Sequence, residues 1–99
     1  MIHELLNTGK RNATTGRVLA DAIGGNIRQV TQQIERERRQ GQPICASSDP
    51  ENPGYYLAED ERELNDYCDM LKGRAIELFK TRQALVNVLK AVQEKRQQA

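Results

Sequence analysis

The chain has 99 residues, of which 37% are hydrophobic, with a mean hydropathy of -0.77 and a formal net charge of +1. That length suits one small domain with an appendage and leaves room for only a small core. No apolar run approaches the ~20 residues of a membrane span, and the opening MIHELLNTGKRN lacks a signal peptide's apolar stretch, so the expected location is cytoplasmic.

In chain order, Ile2, Leu5 and Leu6 fall at i, i+3 and i+4 and predict a first short helix, with Gly9 closing it. A loop carrying Lys10 and Arg11 follows, placed to meet phosphate. Thr14 or Thr15 is a suitable N-cap for a second helix. Its apolar face repeats as Val18, Leu19, Ala22 and Ile23. Gly24-Gly25 predicts a sharp turn, because glycine reaches left-handed backbone conformations cheaply. Asn26 is a good cap for a third helix, in which Ile27, Val30 and Ile34 form the inner stripe. Arg28, Gln29, Gln32, Gln33 and Arg36 fall on the other side. Glu37 stands where a third apolar residue is expected. Arg38, Arg39 and Gln40 precede Gly41, and basic residues there suit the negative helix end.

Pro43 to Ala46 and Gly54 to Leu57 read as two short strands around the turn-rich SSDPENPG. Period 2 places Tyr55 and Leu57 on one side, facing the core, and Tyr56 on the other, more exposed one. From residue 59 no proline interrupts a long helix that opens acidic, with Asp60 as cap, and closes basic. Leu64, Leu71, Leu78, Leu85 and Val92 recur every seven residues, but Arg74 and Thr81 interrupt the companion row, leaving an incomplete heptad seam. Gly73 is the expected weak point, at a cost of about 1 kcal/mol relative to alanine. A continuous helix of about 38 residues spans ~57 Å. It must therefore fold back, pair with a partner or extend into solvent. The elements predict a mainly α fold with a small β-hairpin, divided into residues 1–58 and a helical tail, 59–99, that serves for dimerisation. Leu64 to Leu71 are expected to cover the first domain, and Leu78 to Val92 to pair between subunits.

The charges are segregated. Residues 59–69 hold six acids against one arginine, and residues 72–96 hold seven bases against two acids. Cys45 and Cys68 lie far apart with no metal-ligand spacing, and one histidine, His3, cannot complete a zinc site with them. No phosphate-binding glycine loop, nucleophile elbow or zinc-protease motif is present. No cofactor and no enzymatic activity are expected.

Helix, helix, Gly-Gly turn, helix and a ribbon ending in Gly54-Tyr55-Tyr56-Leu57 form an ordered pattern. Together with Leu19-Ala20-Asp21-Ala22-Ile23-Gly24, Val30 and Ile34, and Arg39 to Gly41, it resembles the winged helix-turn-helix family of DNA-binding domains. It is similar to the N-terminal domain of biotin operon repressors and to short phage and Firmicutes helix-turn-helix proteins. The resemblance covers residues 1–58 and implies a third helix that enters the major groove and a hairpin wing beside it. It implies base-facing roles for Asn26, Arg28, Gln29, Gln32 and Gln33, and phosphate contacts from Thr15, Arg17 and Arg36. Arginine can pair with guanine and glutamine with adenine through two hydrogen bonds each, and helix N-termini attract phosphate. The wing carries Asp49 and Glu51 and no base, so it is expected to cover the core rather than grip phosphate. The expected function is double-stranded DNA binding as a homodimer, in a prokaryotic or phage regulator of transcription or a replication accessory factor. The alternative is a protein-interaction adaptor built on the same scaffold.

Overall fold

The structure is a computed structural model that describes residues 1–98. Two single 3-10 turns, Ile2–Leu5 and Lys10–Asn12, precede α1 (Gly16–Ile23) and α2 (Ile27–Arg39). An antiparallel hairpin of β1 (Ile44–Ser47) and β2 (Gly54–Leu57) follows, and then α3 (Glu61–Gln98). The fold is mainly α with a small hairpin and a long C-terminal helix, as expected. Among the described residues, no helix is long and apolar enough to cross a membrane. The chain divides into two compact units, Met1–Tyr67 and the residues from Cys68 on.

In the first unit, Thr15 caps α1, its Oγ1 accepting the Val18 N–H at 3.3 Å. Gly24 ends that helix in the left-handed conformation, at φ 66°. The cap on α2 is reciprocal: Asn26 Oδ1 accepts the Gln29 N–H and Gln29 Oε1 accepts the Asn26 N–H, both at 2.9 Å. This capping box satisfies two backbone groups that a helix start otherwise leaves without partners. Leu19 and Ala20 of α1 pack with Val30 and Ile34 of α2, Ile2, Leu6 and Ile44, and Tyr55 and Leu57 close the cluster from β2.

The predicted first helix shortens to a single turn. Ile2 and Leu6 are buried, but Leu5 is 45% exposed. The turn rests on α2, where Glu37 occupies the third position of the buried stripe and is itself fully buried. Its Oε2 accepts the Ile2 N–H at 2.9 Å, and its Oε1 accepts the His3 N–H at 2.7 Å. These are N–H groups at the start of the turn, which have no acceptor within a helix, so the carboxylate caps the turn and anchors it to α2. A third apolar residue in that place would leave both N–H groups without this acceptor.

β2 is bonded on both edges. Beyond its ladder with β1, Tyr55 exchanges two 2.8 Å hydrogen bonds with Thr14, and the Leu57 carbonyl accepts the Gly9 N–H at 2.9 Å. The approach is so close that a Cβ on Gly54 (φ 118°) would lie 2.2 Å from the Thr14 carbonyl oxygen. Both hairpin faces are also covered. Tyr56 is not the exposed ring that alternation alone suggests: it is 5% exposed and packs with Cys45 and Tyr67. The first turns of α3 supply Tyr67 to that face. Burial, followed by neighbouring Cys45, Glu63 and Tyr67, pushes the Tyr56 hydroxyl up to about 12.

α3 is capped by Asp60, whose Oδ1 accepts the Glu63 N–H at 2.8 Å. The helix runs unbroken through Gly73. Tyr67 is the buried side chain of its first turns, whereas Leu64, expected to cover the first unit, is 37% exposed. In the second unit, no described side chain from Cys68 to Gln98 is buried.

Candidate functional site

Most of the polar residues that the sequence singles out lie on α2, with Thr15 and Arg17 at the start of α1. At 100° per residue, Val30, Ile34 and Glu37 mark the inner face of α2. The outermost ridge, on the opposite side, is Arg28, Gln32 and Arg39, with Glu35 and Arg36 flanking it, and all five are exposed. From Arg28 to Arg39 the ridge runs about 16 Å along the helix axis. Arg17 is exposed on α1. Among the described residues, Arg17, Arg28, Arg36 and Arg39 form no ion pair. Four exposed arginines without an ion pair are thus carried by two consecutive helices joined by a tight turn.

The other predicted contacts are held within the fold. Thr15 uses its hydroxyl oxygen as the α1 cap. Asn26 and Gln29 have committed their side-chain carbonyls to each other's backbone. Gln33 is half-buried and donates from Nε2 to Glu37 Oε2 at 2.9 Å. These residues build the helix that carries Arg28 and Gln32, and only those two of the predicted base-facing set have side chains without an internal hydrogen bond. Arg39 lies outside the set expected from the sequence, yet it stands exposed on this ridge. Its signal was present, because eleven residues separate it from Arg28, close to three full turns, which returns it to the same face.

The loop bases are likewise engaged. Lys10 Nζ lies 3.5 Å from Asp49 Oδ2, and Arg11 reaches both Glu59 oxygens at 3.1 and 3.3 Å. The Asp49 carboxyl is held below the usual carboxylate range by the Glu51 backbone N–H first, with Lys10 assisting. Asp49 of the hairpin and Glu59 beyond it thus neutralise the loop that the sequence offered to phosphate. Arg38, next in line on α2, is a tie rather than a contact. It donates from Nε to the Ile44 carbonyl at 2.8 Å, from one terminal nitrogen to Glu35 at 2.9 Å, and from the other to the Tyr67 hydroxyl at 2.9 Å.

Beneath this surface lies the Glu37 cluster. Besides its two backbone N–H donors, Glu37 accepts from Gln33 and contacts His3 Nδ1 at 2.5 Å. Burial pushes its pKa up, but the His3 and Ile2 N–H groups, Gln33 and the His3 ring together outweigh that and bring it down to about 2. The lone histidine is therefore engaged in anchoring. An open groove beside α2 is lined by the apolar Met1, Leu5 and Ile23 and the polar Gln29, Gln32 and Arg36. Among the described residues, no group of three or more His, Cys, Asp or Glu is placed to hold a metal ion.

Compared with family models, curated proteins and solved structures, the chain matches none.

Proposed function

We propose that this chain binds double-stranded DNA through the outer ridge of α2, as a prokaryotic or phage transcription regulator or replication accessory factor. The observation that carries the reading is the set of exposed arginines without ion pairs, Arg17, Arg28, Arg36 and Arg39, on two helices joined by the Gly24-Gly25 turn. In this reading the two helices and turn are a helix-turn-helix, and the hairpin is a wing that packs rather than grips. The major groove is about 12 Å wide and admits a helix. Arg28 and Gln32 read base edges, while Arg17, Arg36 and Arg39 neutralise phosphates, so affinity depends steeply on salt.

Fluorescence anisotropy with duplexes selected from a random pool tests this. Arg28→Ala combined with Gln32→Ala is expected to erase discrimination between selected and scrambled duplexes, at roughly 1–3 kcal/mol per lost base contact. Arg39→Ala is expected to weaken both duplexes alike and to shallow the salt dependence by about one charge. Unchanged discrimination in the double variant sinks the reading. The acid-paired loop, Lys10 with Asp49 and Arg11 with Glu59, favours a second reading, a protein-docking adaptor on the same scaffold. Absence of any duplex binding at low salt, with a stable protein partner co-purifying, decides for it.

A further inference from the structure

The second unit is a helix without a core. On residues 68–98, Leu78 and Phe79 are 71% and 70% exposed, and Leu71, Leu85, Val88, Leu89 and Val92 are 40–64% exposed. Burying such a side chain removes roughly 60–120 Å² from water, taking about 25 cal/mol per Å². These seven therefore leave on the order of 400 Å² of apolar surface on one helix. That equals the largest apolar patch of a typical whole monomer, ~300–600 Å². Helices without tertiary packing are marginal in water. This one also carries Gly73 and the β-branched Thr81, Val86, Val88 and Val92, which lower helix propensity.

We infer that the occupant of this face is a second copy of the same chain, laid alongside in parallel to form a short two-stranded coiled coil. Three features select that occupant. The first is the row Leu71, Leu78, Leu85, Val92, whose spacing of seven suits a supercoiling helix rather than a globular groove, which takes the 3.6-residue face. The second is charge. With that row at the a position, Glu77 falls at g and Arg82 at the following e, the pair that meets across a parallel dimer, once on each side. Arg82 forms no ion pair among the described residues, and Glu77 has only an exposed 3.1 Å contact with Lys80. The third is area. Phe79 falls at the outward b position, and the other six side chains of two copies together hide roughly 700 Å² of apolar surface, near the apolar share of a small homodimer interface of ~1,200 Å² at ~65% apolar. Arg74, Thr81 and Lys95 fall in the companion d row, where Val88 is the apolar member. Polar residues there set register at a cost in affinity, and the arginine stem can lie along the seam with its head in water. A reversible dimer follows, not a permanent one.

The inference does not depend on DNA binding, and its test uses no DNA. Sedimentation equilibrium of the full chain across the micromolar range is expected to show mass rising from 11.2 kDa towards twice that value. Leu78→Glu with Leu85→Glu is expected to weaken the dimer at least ~30-fold, the effect of a hot-spot residue. Both side chains are mostly exposed in the single chain, so amide protection at Val30 and Ile34 is expected to survive. Glu77→Arg is expected to weaken association about threefold, as exposed pairs do, and Arg82→Glu in the same chain to restore it. A single-chain mass at every concentration overturns the inference, as does a dimer that persists in the Leu78/Leu85 variant. Failure of the charge exchange to restore association overturns the parallel register.

Discussion

Residues 1–67 and residues 68–98 of this chain reach stability by opposite routes. The first unit closes two hydrophobic clusters around a two-stranded hairpin and satisfies a fully buried carboxylate. Among its described residues, no buried side-chain nitrogen or oxygen lacks a hydrogen-bond partner. The second unit is richer in large apolar residues than the first and buries none of them. Composition alone does not account for this. What separates them is the return of the chain: Gly24-Gly25, Gly41 and the 48–53 turn fold the first unit back on itself, whereas nothing between residues 68 and 98 turns.

The sharpest way to break the contrast is to remove Glu37. Glu37→Ala deletes the acceptor for the Ile2 and His3 N–H groups and for Gln33, and leaves a void under the first turn. Buried polar groups that lose their partner cost about 1–3 kcal/mol each, so a loss of about 4 kcal/mol is expected in urea unfolding followed by tyrosine fluorescence. The equivalent change on the other unit, Leu78→Ala, is expected to alter single-chain unfolding by less than about 0.5 kcal/mol, because an exposed side chain forfeits little packing. Equal effects of the two changes would abolish the distinction drawn between the units.

A gentler probe of the same cluster is acid. Glu37 has its pKa brought from 4.5 down to about 2 in the folded chain. Its contribution is therefore complete above pH 4.5 and is lost as pH falls from there towards 2. Linkage sets the amount at about 3 kcal/mol. Stability measured between pH 5 and 2 is expected to fall by that much beyond the decline seen in Glu37→Gln. The opposite limb belongs to Tyr56, whose folded pKa is raised from 10 to about 12. Its contribution is present below pH 10 and is lost as pH rises towards 12. A flat acid limb in the parent chain would mean that Glu37 is not buried as a carboxylate.

How far these features were legible in the sequence depends on whether each is local. The caps Thr15, Asn26 and Asp60, the Gly24 turn and both strands follow from short-range preferences, and the structure has all of them. Period 2 assigned Tyr55 and Tyr56 to opposite hairpin faces correctly, but not the burial of the second face. That burial comes from Tyr67, eleven residues further on, which no pattern within the hairpin announces. Glu37 looked like a defect in the α2 stripe because its partners, Ile2 and His3, lie more than thirty residues away. The candidate ridge was partly legible. Helical spacing picked out Arg28, Gln32 and Arg36, but could not tell which neighbouring side chains the fold itself would use. Gln33 went to Glu37 and Gln29 to the α2 cap.

A smaller stabilising change sharpens the comparison best, because it acts where there is no core. Gly73 sits in the middle of α3, and a Cβ placed there meets nothing within 4 Å. Gly73→Ala therefore adds no contact and removes none. Its effect comes from the unfolded chain, which loses backbone freedom, and from better helix propensity, together about 1 kcal/mol. In the first unit that increment would be lost within a cooperative transition. In the second, where helix competes with coil residue by residue, it should appear as raised helicity in far-ultraviolet circular dichroism at elevated temperature, with the tyrosine-reported transition of residues 1–67 unmoved. If both transitions shift together, the two units unfold as one, and the absence of buried side chains beyond Tyr67 does not confer independence.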